Sequence, residues 1–484
     1  MRASPSPRRL ALALLAVALI AAAASAAGIP VRGAYGGQTT ADEPHYLLTA
    51  ISLAEDGDLD VRDELASGRF RPFHESDLPA QARPGEDGRL VEPHDPLLPA
   101  LLAAPMALGG WEGAKLALAA LAGVLAALTL WIAVRRLEVP LGPAGATVAL
   151  FSASAPLAAY GSQVYPELPA ALCVAVAIAA LTGPLRRAGL AALAASLVAL
   201  PWLATKYAPV AAALAAVGLW RLARSGRLRG AVGLAVGLGL AGAVFLAAHR
   251  ALYGGWTPYA AGSHFAADGE LSVVGSDPDY LGRSRRLVGL LVDQDFGLAA
   301  WQPAWLIAVP AVGALLARRP PGWAALAAPL GAAWLVATFA ALTMQGWWFP
   351  GRQAVVALPA AVLVVAWWAG RAGPRLAALA AAGAVGVATW AWLVVEGTAG
   401  GLAWAVDLAE SSAPWYRAWR TALPDYLEVT AATWALHWAW AAAAVAALVL
   451  AARREGRPRV RGRRLTVAPR SGPVPAGVRG RRAG

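Results

Sequence analysis

Leu10-Ala11-Leu12-Ala13-Leu14-Leu15-Ala16-Val17-Ala18-Leu19-Ile20-Ala21-Ala22-Ala23-Ala24 stands behind Arg8-Arg9, and beyond it comes Thr40-Ala41-Asp42-Glu43-Pro44-His45-Tyr46. The apolar run is about 20 residues long, enough to cross a bilayer as a helix. Ala24-Ser25-Ala26-Ala27 mimics a secretory cleavage site, but the run is longer than a signal h-region, which predicts an uncleaved signal anchor. A carboxylate pair at the mouth of a membrane-embedded bundle is costly to place, so Asp42 and Glu43 are functional candidates. Their bland alternative is two solvated acids on a loop.

Composition extends the membrane reading to the whole chain. Of 484 residues, 58% are hydrophobic and 14% charged, with a mean hydropathy of +0.53. Soluble domains carry about 25% charged residues. The length accommodates roughly a dozen spans of about 20 residues. A formal charge of +12 would suggest nucleic acid in a soluble chain; here its distribution marks topology, and no nucleic-acid partner is expected. Of 41 basic residues, 39 are Arg, with Lys only at Lys115 and Lys206. This bias, with the Ala-rich spans, points to GC-rich bacterial coding and a bacterial plasma membrane. Cys173 is the single cysteine, so there is no disulfide framework.

Apolar runs fall at about 10–29, 113–134, 141–160, 168–185, 188–204, 207–220, 231–249, 298–317, 322–343, 353–370, 376–396 and 432–452. They predict an all-α polytopic protein of about 12 transmembrane helices, or ten if the short pair 188–204 and 207–220 is not counted as two spans. Arg135-Arg136, Arg186-Arg187, the run Arg221 to Arg229, Arg318-Arg319, Arg371 with Arg375 and the tail from Arg453 follow every second span. Arginine in short loops marks the inner side, so both termini are expected inside. Only Glu138 and Glu455 of the 29 acids fall there. Three long outer loops follow, at about 30–95, 250–297 and 397–431. The apolar stretch 96–110 is short for a span and suits an interfacial helix. Trp347-Trp348, Trp415, Trp419, Trp434 and Trp438 suit an aromatic belt. The chain divides into a catalytic membrane module over 1–370, C-terminal helices with an outer loop over 371–452, and a basic tail over 453–484 expected to be disordered and to touch anionic lipid.

The chemistry lies in the outer loops. The first, 30–95, holds about half the acids; those from Glu55 to Glu64 read as a solvated face. His45, His74 and His94 match no zinc spacing, which favours structural polar roles. Glu167, the lone acid in Tyr160-Gly161-Ser162-Gln163-Val164-Tyr165-Pro166-Glu167, is either a helix-dipole partner or a second active-site carboxylate. Lys206 and Arg352 are either snorkelling side chains or grips for a phosphate. Asp293-Gln294-Asp295 is a D-x-D string of low specificity.

Taken in order, Asp42-Glu43 with Tyr46, His94-Asp95-Pro96-Leu97-Leu98, Tyr165-Pro166-Glu167, Trp202 to Tyr207, Asp293 to Leu298 and Pro350-Gly351-Arg352 resemble the GT-C superfamily of integral-membrane glycosyltransferases. The likeness is to its protein O-mannosyltransferase and aminoarabinose-transferase-like branch (glycosyltransferase family 39-like), and it covers the chain to about residue 370. It implies a polyprenyl-phosphate sugar donor, a glycan, lipid or protein acceptor, and inverting transfer on the outer face. Asp42 would be the general base. Glu43 and Glu167 would orient the acceptor or, with Asp42, hold a hard cation such as Mg²⁺ or Mn²⁺. Lys206 and Arg352 would bind the donor phosphate, and Tyr46, His94 and Asp293 would take substrate-contacting or structural roles. The aminoarabinose-transferase-like branch places a Lys before Pro-Pro-Leu where this chain has His94-Asp95-Pro96-Leu97, which leaves metal use and donor identity open.

A multi-span transporter or flippase of an envelope precursor is the main alternative. Carriers put polar or broken helices near the midplane, often with internal repeats. Here the span centres are Ala, Leu and Val, polarity sits in the outer loops, and no repeat is apparent.

Overall fold

The computed structural model describes residues 5–257, 260–264 and 279–456. Much of the loop expected at 250–297 and nearly all of the basic tail lie outside them. The described residues are helical, with isolated bridges (Ala34 with Gly37, Gly37 with His74, Asp60 with Val91) and no strand.

In chain order the elements are α1 (Pro7–Ala26), α2 (Glu43–Glu55), α3 (Arg62–Ala66), α4 (Leu97–Arg135), α5 (Leu141–Ser152), α6 (Leu157–Tyr160), α7 (Glu167–Leu181), α8 (Arg187–Leu203), α9 (Ala208–Arg224) and α10 (Leu228–Tyr253). They continue with α11 (Tyr280–Arg283), α12 (Arg286–Val292), α13 (Leu298–Trp301), α14 (Ala308–Arg318), α15 (Trp323–Leu335), α16 (Leu358–Ala369), α17 (Gly373–Thr398), α18 (Pro414–Arg420) and α19 (Ala431–Gly456). Every expected apolar run is helical. Among the described residues, seven segments are long and apolar enough to cross a membrane: α1, α4, α10, Trp323–Ala340, Arg352–Ala369, α17 and α19. Shorter apolar helices (α5, α7, α8 and Pro303–Arg318) fill the runs between them. The sequence count of about twelve therefore resolves, on length, into seven candidate spans and a set of shorter helices, because Pro, Gly and polar residues break several runs. Pro201 and Ala204 end α8, and a π turn at Val336–Ala340 ends α15.

The surface is inverted relative to a soluble protein. Along α10, Leu228, Val232, Val236, Leu240 and Val244 form an i, i+4 stripe, each more than half exposed. An outward apolar stripe of this kind is stable only against lipid or another apolar partner. Trp347 and Trp438 are also largely exposed. The architecture is that of an all-helical membrane protein.

Helix α1 packs on α4 at close range, since a Cβ added at Gly123 would lie 2.8 Å from the Ala18 carbonyl oxygen. Leu10, Val17, Ala21 and Ser25 form its buried face. In α4, non-helical backbone at Gly109 and Gly110 separates the segment after Pro96 from the long span, so the stretch expected as an interfacial helix has an axis of its own. One hydrophobic core holds residues from Leu10 to Leu423, with Trp390 and Trp404 packed beside Phe349 across residue 370. Arg318, Arg375 and Glu455, all expected on the inner side, meet with both arginines 2.9 Å from the carboxylate.

Candidate functional site

The opposite end of the bundle gathers the acids and cations that the sequence spreads over 310 residues. Asp42 is the residue before α2, Glu167 begins α7, Lys206 occupies the 3₁₀ turn Thr205–Tyr207 between α8 and α9, and Arg352 begins the 3₁₀ turn Arg352–Ala357 that leads into α16. Arg352 Nη2 donates to Asp42 Oδ2 at 2.8 Å and Nε donates to Glu167 Oε1 at 3.0 Å. Lys206 Nζ donates to the same Glu167 oxygen at 2.7 Å and to Gln353 Oε1 at 3.3 Å. The result is one chain, Asp42–Arg352–Glu167–Lys206, of zero formal charge. Glu167 is fully buried, whereas the Asp42 and Lys206 side chains keep 22% and 27% exposure. Both ends therefore open to a ligand while the centre is closed.

Arg352 is also held by stacking, with its guanidinium carbon 4.0 Å from the Tyr165 ring centre and 4.7 Å from that of Trp348. A planar cation between aromatic faces keeps its orientation. Its position depends on Gly351, at φ +85°, where a Cβ would come within 2.8 Å of Leu298 Cδ2. Gly351→Ala is thus expected to cost about 1–3 kcal/mol through left-handed strain and overpacking, seen as a lowered Tm of the detergent-purified protein. An unchanged Tm would show that the turn relaxes freely.

Burial alone would raise the Asp42 carboxyl, but Arg352, His94 and His45 outweigh it and hold the carboxyl below the usual range. Gln81 bridges onward, its Nε2 donating to Asp42 Oδ1 at 3.5 Å while its Oε1 accepts from His94 Nε2 at 2.8 Å. Tyr46 stacks on His94 with ring centres 4.6 Å apart. Both residues therefore line the Asp42 side of the cluster. Glu167 Oε2 and the Tyr207 hydroxyl are buried, with no partner of good geometry beyond each other.

Glu43 is placed differently. Its Oε2 accepts from the Val164 N–H at 2.7 Å and its Oε1 from the Thr40 N–H at 3.4 Å, at 1% exposure. It is a strut tying the start of α2 to the loop before α7. Burial raises its carboxyl, opposed by Lys115 and those two N–H groups. Asp42, Glu43 and Glu167 accordingly do not fit a shared cation: Glu43 is spent on backbone, and Glu167 Oε1 and Asp42 on cations.

Asp293 sits in another cluster. Its Oδ1 accepts from the N–H groups of Asp295 (2.9 Å) and Phe296 (2.5 Å), while Asp295 Oδ1 accepts from Tyr416 Oη (3.0 Å) and Arg420 Nη2 (2.9 Å). Burial, reinforced by the Asp295 charge, pushes the Asp293 carboxyl up to about 7. A raised carboxyl stabilises most when protonated. Its contribution is complete below about pH 4, the unfolded value, and is lost as pH rises through the folded value of about 7. Asp293→Asn keeps the acceptor oxygen and is expected to flatten the fall of Tm between pH 5 and pH 8. A variant with the wild-type slope would assign that titration elsewhere.

The sequence assigned no role to several partners, Asp95 among them although it stands in the stretch His94-Asp95-Pro96. Glu92 Oε1 lies 2.8 Å from His45 Nδ1, and both are buried. Asp95 Oδ2 accepts from the Thr205 N–H at 2.8 Å, and its Oδ1 lies 3.1 Å from His249 Nε2. This pair fastens the end of the first outer loop to the turn bearing Lys206 and to α10. Lys115, buried within α4, donates to the Gln38 carbonyl at 2.8 Å; its signal was a lone lysine in an apolar run.

Comparison with protein-family models, curated proteins and solved structures yields no match for this chain.

Proposed function

We propose that this chain is an inverting glycosyltransferase that moves a sugar from a polyprenyl-phosphate donor to an acceptor hydroxyl on the outer face of a bacterial plasma membrane. In this reading about twelve helices cross the bilayer with both termini inside. The observation that carries it is the Asp42–Arg352–Glu167–Lys206 chain, closed at its centre and open at both ends. Asp42 takes the proton of the acceptor hydroxyl as that oxygen bonds to the anomeric carbon. The bond from that carbon to the phosphate oxygen breaks, and polyprenyl phosphate leaves with the electron pair. Lys206 and Arg352 are placed to stabilise its charge. Arg352 exchanges Asp42 for the phosphate in this scheme, which frees the carboxylate to act as base. Glu167 holds both cations in register, and Glu43 is structural.

The test uses wild-type protein in proteoliposomes with a panel of polyprenyl-phosphate sugars and a membrane extract as acceptor, following free polyprenyl phosphate. Donor-dependent release supports transfer. Movement of an intact lipid-linked precursor across the bilayer without release would replace this reading with a flippase.

A further inference from the structure

The acids after α2 were expected to form a solvated face, and most do. In Asp56-Gly57-Asp58-Leu59-Asp60, two are spent on the loop itself. Asp58 Oδ1 accepts from Ser52 Oγ (3.0 Å) and the Asp60 N–H (2.9 Å), and Asp60 Oδ1 accepts from the Leu90 N–H (2.8 Å). Asp56, Asp63 and Glu64 are not used in this way. They converge: one carboxylate oxygen from each lies within 4.8 Å of those from the other two.

Acids often gather on a surface without an ion, but Glu64 adds a second observation. It is 2% exposed, and its carboxylate oxygens find no partner beyond its own backbone and the Asp63 carboxyl beside it. An unpaired buried carboxylate costs several kcal/mol. Asp56 and Asp63 are exposed, so the trio is a half-open cup with the buried acid at its base. The neighbouring cation, Arg69, forks onto Glu55 and acts on Glu64 and Asp56 only through space. Oxygens that ligate Ca²⁺ at about 2.3–2.6 Å are separated by up to roughly 5 Å from one another, which matches this spread without rearrangement.

We propose that Asp56, Asp63 and Glu64 form a binding site for a hard divalent cation of the Ca²⁺ kind, with water completing its shell. The ion would clamp the corner between α2 and α3, at the far end of the helix whose start carries Asp42. Burial, with the neighbouring Asp63 and Asp56 charges, pushes the Glu64 carboxyl up to about 8, so the competing occupant is a proton. A proton on Glu64 would be shared with Asp63 and would leave Asp56 unengaged, whereas a cation engages all three. The site stands apart from the transferase reading, and its test needs no turnover.

Full-length protein, purified in detergent and stripped with chelator, is titrated with Ca²⁺ by calorimetry, and Tm is followed in parallel. One Ca²⁺ per chain is expected, with Kd on the order of 10⁻⁴–10⁻³ M as in extracellular modules, and a Tm rise of a few degrees at about ten times Kd. Asp56→Asn with Asp63→Asn, both exposed and tolerant positions, should abolish binding and the Tm response. Glu64→Gln should retain the chelator-state Tm and lose the response. Absence of binding by wild type up to about 10 mM Ca²⁺, or equal binding by the double variant, would overturn the proposal.

Discussion

Asp42→Asn is expected to lower donor-dependent release of polyprenyl phosphate by about 10²–10⁴-fold, the usual range for loss of a general base, with the fold retained. Asn has the shape of Asp and keeps one oxygen that accepts from Arg352, while the 3.5 Å bond from Gln81 to the other oxygen is lost. The charge it removes is partly exposed, and Arg352 retains its bond to Glu167, so the Tm should move little. The same geometry constrains the pH profile. Because Arg352 holds the Asp42 carboxyl below the usual range, Asp42 is ionised throughout neutral and mildly acidic conditions. In kcat/KM, which reports the free enzyme, the wild type should show no acidic limb from this group above about pH 4. Single-turnover release by wild type and variant, on protein matched for Tm, makes the comparison. Wild-type turnover by Asp42→Asn would remove Asp42 from the mechanism and turn attention to Glu167.

The residues of the charged chain were legible because each is rare where it stands. Asp42 follows an apolar run, Glu167 is alone in its loop, Lys206 is one of two lysines, and Arg352 ends the outer turn Trp347-Trp348-Phe349-Pro350-Gly351. Rarity in an apolar context survives folding, since a charge there must find a partner. The pairing itself was not legible. Both cations read as free grips for a phosphate, yet each already rests on Glu167, because burial at the bundle mouth demands neutralisation in the resting state. Gln81 and Glu92 lie in a loop full of polar residues, where nothing in the local pattern distinguishes a bridging side chain from a solvated one. Asp293 opens a D-x-D string but serves a turn, because two backbone N–H groups beside it need an acceptor. The helices were legible as apolar runs, with the end of α8 at Leu203 close to the expected 204, whereas the π turn at Val336–Ala340 inside the span Trp323–Ala340 was not.

The largest effect on stability should come from Glu167→Gln, at roughly 3–5 kcal/mol, the cost of breaking a buried ion pair from one side. The formal charges of Asp42, Glu167, Arg352 and Lys206 sum to zero, so removing the Glu167 charge leaves +1 in a place where the carboxylate was fully buried. Lys206 and Arg352 then share a neutral amide oxygen in place of a carboxylate, and Asp42 is the one anion of the four-residue chain that remains. Lys206→Met alone should cost less, because its side chain is 27% exposed and Arg352 still neutralises Glu167. Combining the two restores a neutral site, with Arg352 paired to Asp42. The double variant is therefore expected to be more stable than Glu167→Gln alone, a coupling of the kind that double-mutant cycles detect between residues in contact. Thermal unfolding of the four proteins in one detergent measures it. Additive losses would show that Glu167 and Lys206 act independently and would remove the charge-balance account of this site. A Lys206→Met single variant that keeps its Tm but releases no polyprenyl phosphate would separate the two tasks of Lys206, since its charge would then be dispensable for folding and required for the leaving phosphate.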